Sequence, residues 1–138
     1  MEKRSLIVHK YFTEAAQRFD YFVLALIVAL IAYLGTDVEF ERIGCNVSTL
    51  YILTMMVLGI SAVSGFKRIE YTVEAHRINH IALDAKEKNN QARADRADEL
   101  METVKGRASV SYTIRNIALL LGLICFFMAK ILSGYEST

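Results

Sequence analysis

The stretch VSTLYILTMMVLGISAVSGF, residues 47–66, contains no charged side chain. A helix needs about 20 apolar residues to cross the roughly 30 Å hydrocarbon core of a bilayer. This stretch therefore predicts one complete transmembrane helix. Two further apolar stretches are YFVLALIVALIAYLG at residues 21–35, which is slightly short, and residues 112–132. The sequence predicts an all-α integral membrane protein with three transmembrane helices.

Composition supports a membrane protein and excludes several other classes. Of the 138 residues 54% are hydrophobic, which exceeds the usual apolar share of a soluble domain. A formal net charge of +1 argues against a nucleic-acid-binding surface over the whole protein. The two cysteines, Cys45 and Cys125, lie in a loop and in an apolar block, so neither a disulfide framework nor a CxxC metal site is available.

Four segments follow from this pattern. Residues 1–20 form an N-terminal interfacial helix, and residues 21–66 contain the first two transmembrane helices. Residues 67–107 form a charged helical hairpin, and residues 108–138 contain the third transmembrane helix and a short tail. The pattern of residues 1–20 is equally compatible with a helix that packs under the hairpin.

The distribution of lysine and arginine predicts the orientation. Four of these residues precede the first span, one lies between the first two spans, nine lie in residues 67–107, and none follows residue 132. The positive-inside rule then places the N-terminus and the hairpin in the cytoplasm and the C-terminus outside.

The hairpin must reverse direction, although the chain has no proline and residues 66–105 have no glycine. Asn89-Asn90 is the strongest turn signal, because asparagine tolerates left-handed backbone geometry. The helical spacing predicts an inner seam between the two arms, made of Ile69, Val73, His76, His80 and Leu83 on the outgoing arm and Ala94, Ala97, Met101 and Val104 on the return.

A stripe of small and hydroxyl-bearing residues runs along the second span. Such a stripe can line a water-filled pore or can permit close helix packing, and the sequence does not separate the two. Arg115, inside the third span, either contributes to a pore or subunit contact or extends to the interface. The predicted pore-lining residues are Tyr51, Thr54, Ser61, Gly65 and Arg115.

The hairpin contains nine basic and eight acidic residues, typical of a solvated helix surface. In a ring of subunits the arginines would instead repeat around one axis and form a basic vestibule that binds phosphate. The predicted ligand-binding residues are Arg68, Arg77, Arg93 and Arg96. His76 and His80 have the spacing of a shared metal site, but no third ligand is near in sequence, so we predict no metal.

Nothing in the sequence indicates catalysis. There is no nucleophile paired with a base, no glycine-rich phosphate loop and no metal cluster, so we expect neither an enzyme nor a cofactor. Three helices do not enclose a pore alone, so a channel requires a homo-oligomer in the lipid membrane.

The order of an N-terminal helix, the paired spans YFVLALIVALIAYLG and VSTLYILTMMVLGISAVSGF, and a long charged helix resembles the SLATT-type membrane effectors of bacterial nucleotide-activated anti-phage systems. The third span is most similar to the small membrane effector of the Hailong defence system. The resemblance implies an ion channel in the bacterial inner membrane that a nucleotide or oligonucleotide gates and that depolarises the infected cell. It also implies a nucleotidyltransferase partner.

Two other functions are compatible with the same pattern. The first is a holin-like or toxin-like pore former that needs no ligand, although a three-span holin usually has its N-terminus outside. The second is a membrane scaffold protein, which would conduct no ions.

Overall fold

The computed structural model describes residues 2–37 and 46–136. In these ranges the chain forms three helices, α1 (Glu2–Asp37), α2 (Val47–Glu87) and α3 (Gln91–Glu136). Each helix contains a segment that is long and apolar enough to span a membrane. The predicted all-helical fold with three membrane-length helices is therefore confirmed. Cys45 and most of the predicted outer loop lie outside the described residues.

Helix α1 is one uninterrupted helix of 36 residues, about 54 Å long. The boundary predicted at residue 20 is therefore not a break between two helices. Near this position the side chain of Gln17 contacts α2, with Nε2 of Gln17 3.2 Å from Nε2 of His76. This contact places Gln17 beside the outgoing arm of the hairpin, and the interfacial role of residues 1–20 stays a prediction.

Asparagine side chains define the beginnings of the two long helices. Asn46 caps α2, because its Oδ1 accepts hydrogen bonds from the backbone N–H of Thr49 at 3.0 Å and from the Thr49 hydroxyl at 2.6 Å. Asn90 Oδ1 accepts a hydrogen bond from the backbone N–H of Arg93 at 3.2 Å, in the first turn of α3. Between the helices Asn89 has a φ of 53°. The chain thus reverses at the predicted asparagine pair, in the left-handed conformation that asparagine tolerates.

An ion pair stabilises the end of α2 next to this turn. Lys88 Nζ lies 2.8 Å from Oδ1 of Asp84, one helical turn earlier. The hydrogen bond from Lys88 lowers the pKa of Asp84 below its ordinary value of 3.8, so the ion pair persists to a more acidic pH. A basic residue in the last turn also interacts favourably with the helix dipole.

The two arms of the hairpin pack mainly through alanines. Ala82 and Ala85 of α2 and Ala94 and Ala97 of α3 are at most 4% exposed, and Ile78 and Val104 extend this contact. The predicted seam is correct for α3. On α2 it is wrong for four of its five members, because Val73 and Leu83 are 60% and 54% exposed and both histidines are exposed, while Ile69 is half-buried against the apolar core. Alanine has no side chain beyond Cβ, so this face allows the two helices to approach closely. The prediction used the stripe of Ile69, Val73 and Leu83, which has larger apolar side chains. It did not consider that the alanine face allows a closer approach of the two helices.

A separate apolar core lies between the membrane-length segments. Ile27, Leu34, Leu58 and Ala129 are at most 1% exposed and come from all three helices. The outward faces are also apolar, with residues such as Met56, Val63, Leu120 and Phe127 exposed by 60% or more. Helices that are apolar on all sides match a lipid environment better than water.

Candidate functional site

One carboxylate binds two arginines at the point where the three helices meet. Oδ1 of Asp20 in α1 accepts a hydrogen bond from Nη1 of Arg115 at 2.7 Å, and Oδ2 of Asp20 forms an ion pair with Nε of Arg68 at 2.8 Å. The side chains of Asp20 and Arg115 are 9% and 1% exposed, and that of Arg68 is 22% exposed. We call Asp20, Arg68 and Arg115 the junction cluster.

Arg115 is held by further contacts on every side. Its Nε and Nη2 donate to Oδ1 of Asn116 at 3.2 and 3.1 Å, so all three guanidinium nitrogens have acceptors. Its Cδ lies 3.4 Å from where a Cβ on Gly65 would be, which shows that this glycine makes room for the arginine. A buried guanidinium needs such complete pairing, since an unpaired buried charge is strongly unfavourable.

An aromatic ring lies beside both arginines. The guanidinium carbon of Arg68 is 4.1 Å from the ring centroid of Tyr112, and that of Arg115 is 5.1 Å from it. The negative face of an aromatic ring attracts a cation at these distances. Tyr112 therefore helps to stabilise two positive charges that share one carboxylate.

The chain order explains why these charges meet at one level. Asp20 directly precedes the first apolar stretch, Arg68 follows the second after one residue, and Arg115 lies near the beginning of the third. Since consecutive helices run antiparallel, these three positions converge at the same end of the bundle. The junction cluster thus marks the boundary between the apolar segments and the charged hairpin.

The structure divides the predicted ligand-binding set into two parts. Arg77, Arg93 and Arg96 are exposed on the hairpin, where an outside ligand can reach them. Arg68 instead belongs to the junction cluster and has Asp20 as a counter-ion. Phosphate binding by these residues stays a prediction.

The predicted pore-lining residues all point into the interior of a single chain. Thr54 and Ser61 are fully buried, Tyr51 is 6% and Arg115 1% exposed, and Gly65 is also buried. The hydroxyl of Thr54 donates to the Leu50 carbonyl oxygen at 2.8 Å, and that of Ser61 donates to the Arg115 carbonyl oxygen at 2.8 Å. In this conformation Ser61 connects α2 to α3, and the role of the stripe in a pore stays a prediction.

A second charge in the third span lies near the opposite end of the bundle. Lys130 Nζ is 5.2 Å from the ring centroid of Tyr33 and 5.7 Å from that of Tyr51. These tyrosines come from α1 and α2, so this lysine also contacts all three helices. The charged positions of α3 therefore lie at the two ends of its apolar segment, and its middle is uncharged.

Two members of the site, Asp20 and Tyr112, were not predicted from the sequence. A signal for Asp20 was present, because an acid directly before an apolar stretch is a candidate partner for an arginine within another span. No comparable signal marks Tyr112, since tyrosines at span ends are common interfacial anchors.

In the part of the chain that the structure describes, no group of three or more His, Cys, Asp or Glu side chains could hold a metal ion.

The comparisons with known proteins add no assignment: no family model, no curated protein and no solved structure matches this chain. A proposed function therefore rests on the geometry of this chain.

Proposed function

We propose that several copies of this chain form an ion channel in a bacterial inner membrane, gated by a nucleotide or oligonucleotide that binds the hairpins. One observation carries the proposal: α2 and α3 continue without a break from their apolar segments through the charged hairpin. A rigid helix transmits a displacement along its whole length. A ligand that draws the hairpins of neighbouring subunits together would thus tilt the spans. Depolarisation during anti-phage defence is the physiological outcome that we propose.

The junction cluster supports this mechanism as a pivot. Asp20 binds an arginine on α2 and another on α3, so it attaches α1 to both moving helices at the base of the hairpin. By contrast, α2 and α3 contact each other along the hairpin and the spans. Movement of the hairpin would then reach α1 through Asp20 and through the contact of Gln17 with His76.

The polar lining of the pore would come from the interior of the bundle. The outward faces of the described spans present alkyl groups such as Leu53, Met56 and Ile60, which offer an ion no oxygen. Thr54 and Ser61 have hydroxyls but are fully buried. We propose that the present conformation is closed and that opening separates the helices enough to hydrate these hydroxyls.

The ligand site would be the exposed arginines of the hairpin, Arg77, Arg93 and Arg96. Arg93 and Arg96 are three residues apart, so they share one face of α3. Arginine binds phosphate through a planar fork of N–H donors, and symmetry would repeat each contact in every subunit.

Ion flux in proteoliposomes tests this function. We expect the purified chain to change its flux when a member of a panel of cyclic dinucleotides and short oligonucleotides is added. Replacing Arg77, Arg93 and Arg96 together with glutamine should reduce that response at least about tenfold, because each lost charge-assisted hydrogen bond weakens phosphate binding. Arg107→Gln, an exposed change in the same helix, is the matched control.

Other outcomes would identify a different function. Flux that is the same with and without every ligand would indicate a ligand-independent pore former. A chain that inserts and assembles but conducts under no condition would indicate a scaffold. Either result would refute the gated channel.

The proposed orientation has its own test, by labelling of single cysteines in intact cells. In a variant without Cys45 and Cys125, a cysteine at position 90 should react only after the membrane is permeabilised. A cysteine at position 137 should react with an impermeant reagent from outside, because the positive hairpin is held in the cytoplasm. Labelling of position 90 in intact cells would contradict this topology.

A further inference from the structure

The hydrogen bonds of the junction cluster are distributed unequally between its two arginines. Arg115 uses all three guanidinium nitrogens, and Asp20 uses both carboxylate oxygens. Arg68 forms one ion pair, from Nε to Asp20, and among the residues that the structure describes its two terminal nitrogens have no hydrogen-bond acceptor and are not fully buried. Its two terminal nitrogens, with four N–H donors, are therefore available to a ligand.

The charges of the cluster are also unbalanced. Two guanidinium groups and one carboxylate leave a net charge of +1, at a place where the residues are mostly buried. Arg68 is the most exposed of the three, with 22% of its side chain accessible. An anion that approaches the cluster would reach Arg68 first, and low surrounding polarity would strengthen the attraction.

We propose that Arg68 binds a phosphate group at this junction through its two terminal nitrogens. Asp20, its resting counter-ion at Nε, competes with the phosphate for the positive charge. Phosphate fits because the terminal nitrogens of arginine pair with two of its oxygens in parallel. The junction lies where apolar spans end, which is the level of lipid headgroups, so an anionic phospholipid or a free nucleotide could supply the phosphate.

Arg115 is a poorer candidate for the same role. It is 1% exposed, and no guanidinium nitrogen is left without an acceptor. Its function in the site is to hold Asp20 in place, since it occupies Oδ1 and leaves only Oδ2 to compete for Arg68. The proposal concerns binding and not conductance, so it stands or fails independently of the channel.

Native mass spectrometry of the full-length chain in a nonionic detergent tests the site. One arm adds phosphatidylglycerol, with phosphatidylcholine for comparison, and the other adds a cyclic dinucleotide. Arg68→Gln should weaken binding of the active ligand about tenfold. Asp20→Asn should instead tighten it several-fold, because the competing carboxylate is gone. Arg107→Gln, which removes an exposed arginine outside the cluster, should leave binding unchanged.

The opposite signs of these two changes separate a binding site from a structural ion pair. Both substitutions break the same contact, so a purely structural role predicts that both reduce binding equally or that neither alters it. Either of these results would overturn the proposal. Absence of binding with both the lipid and the cyclic dinucleotide would also overturn it. Binding in the lipid arm alone or in the nucleotide arm alone supports it and identifies the source of the phosphate.

A conservative variant keeps the test decisive if Asp20→Asn does not fold. Arg68→Lys preserves the positive charge and the pairing with Asp20 but lacks the planar fork. We expect it to bind several-fold more weakly than the wild type, whereas Arg107→Lys should bind equally. Wild-type affinity in Arg68→Lys would show that the fork is not used and would refute the proposed contact.

Discussion

Replacing Asp20 with leucine should lower the free energy of unfolding by about 3 kcal/mol, the largest stability loss that we expect from a single substitution in this chain. The substitution leaves Arg115 buried with a positive charge and without its acidic partner. Arg68 is 22% exposed and can turn toward solvent, but Arg115 has no such route. Unfolding in detergent, followed by circular dichroism, measures the loss.

A double substitution provides the control. In Asp20→Leu with Arg115→Met the buried charge is removed along with its partner, so at least half of the lost stability should return. An exposed ion pair supplies the comparison: Asp98→Leu breaks the contact of Asp98 with Lys86, and this pair is more than half exposed on both sides. That change should cost under about 1 kcal/mol. If Asp20→Leu is equally mild, the junction cluster does not hold the helices together.

Substituting Gly122 with alanine should lower the free energy of unfolding by about 1–3 kcal/mol, although alanine normally favours a helix. A Cβ at this position would lie 2.5 Å from Cδ2 and 2.9 Å from Cγ of Leu58. Leu58 is 1% exposed, so it has no space into which to move. The same detergent unfolding experiment measures the effect.

Two glycines in the same bundle serve as matched controls. A Cβ added at Gly59 or at Gly134 meets no atom within 4 Å, so Gly59→Ala and Gly134→Ala should be neutral or slightly stabilising. Combining Gly122→Ala with Leu58→Ala should recover part of the loss, because the smaller side chain makes room. Equal stability of Gly122→Ala and Gly134→Ala would show that α2 and α3 are not closely packed at this level.

These two predictions concern different kinds of contact between the helices. At Gly122 the helices α2 and α3 are held by close packing, which a small displacement would disrupt. At Asp20 the helix α1 is held by ion pairs, which can exchange one partner for another. The contact at Asp20 can therefore rearrange without loss of close packing, whereas the contact at Gly122 cannot.

The amino-acid sequence by itself determined the number of membrane-length helices, their apolar segments and the position of the reversal. Each of these features depends on consecutive residues: hydropathy over a span-length stretch decides whether a helix can cross a membrane. The turn at Asn89-Asn90 depends on the backbone preference of asparagine alone. The return arm of the hairpin seam was predictable from its helical spacing, because Ala94, Ala97, Met101 and Val104 recur at intervals of three and four residues.

Only the tertiary structure decided which faces meet. On α2 two stripes have helical spacing, and the chain uses the alanine stripe because short side chains allow closer packing. The hydroxyl stripe of Thr54 and Ser61 likewise faces inward, where Ser61 bonds to the backbone of α3. The pairing of Asp20 with Arg68 and Arg115 joins residues far apart in the chain. It depends on the rotation and register of three helices, which no local pattern of residues specifies.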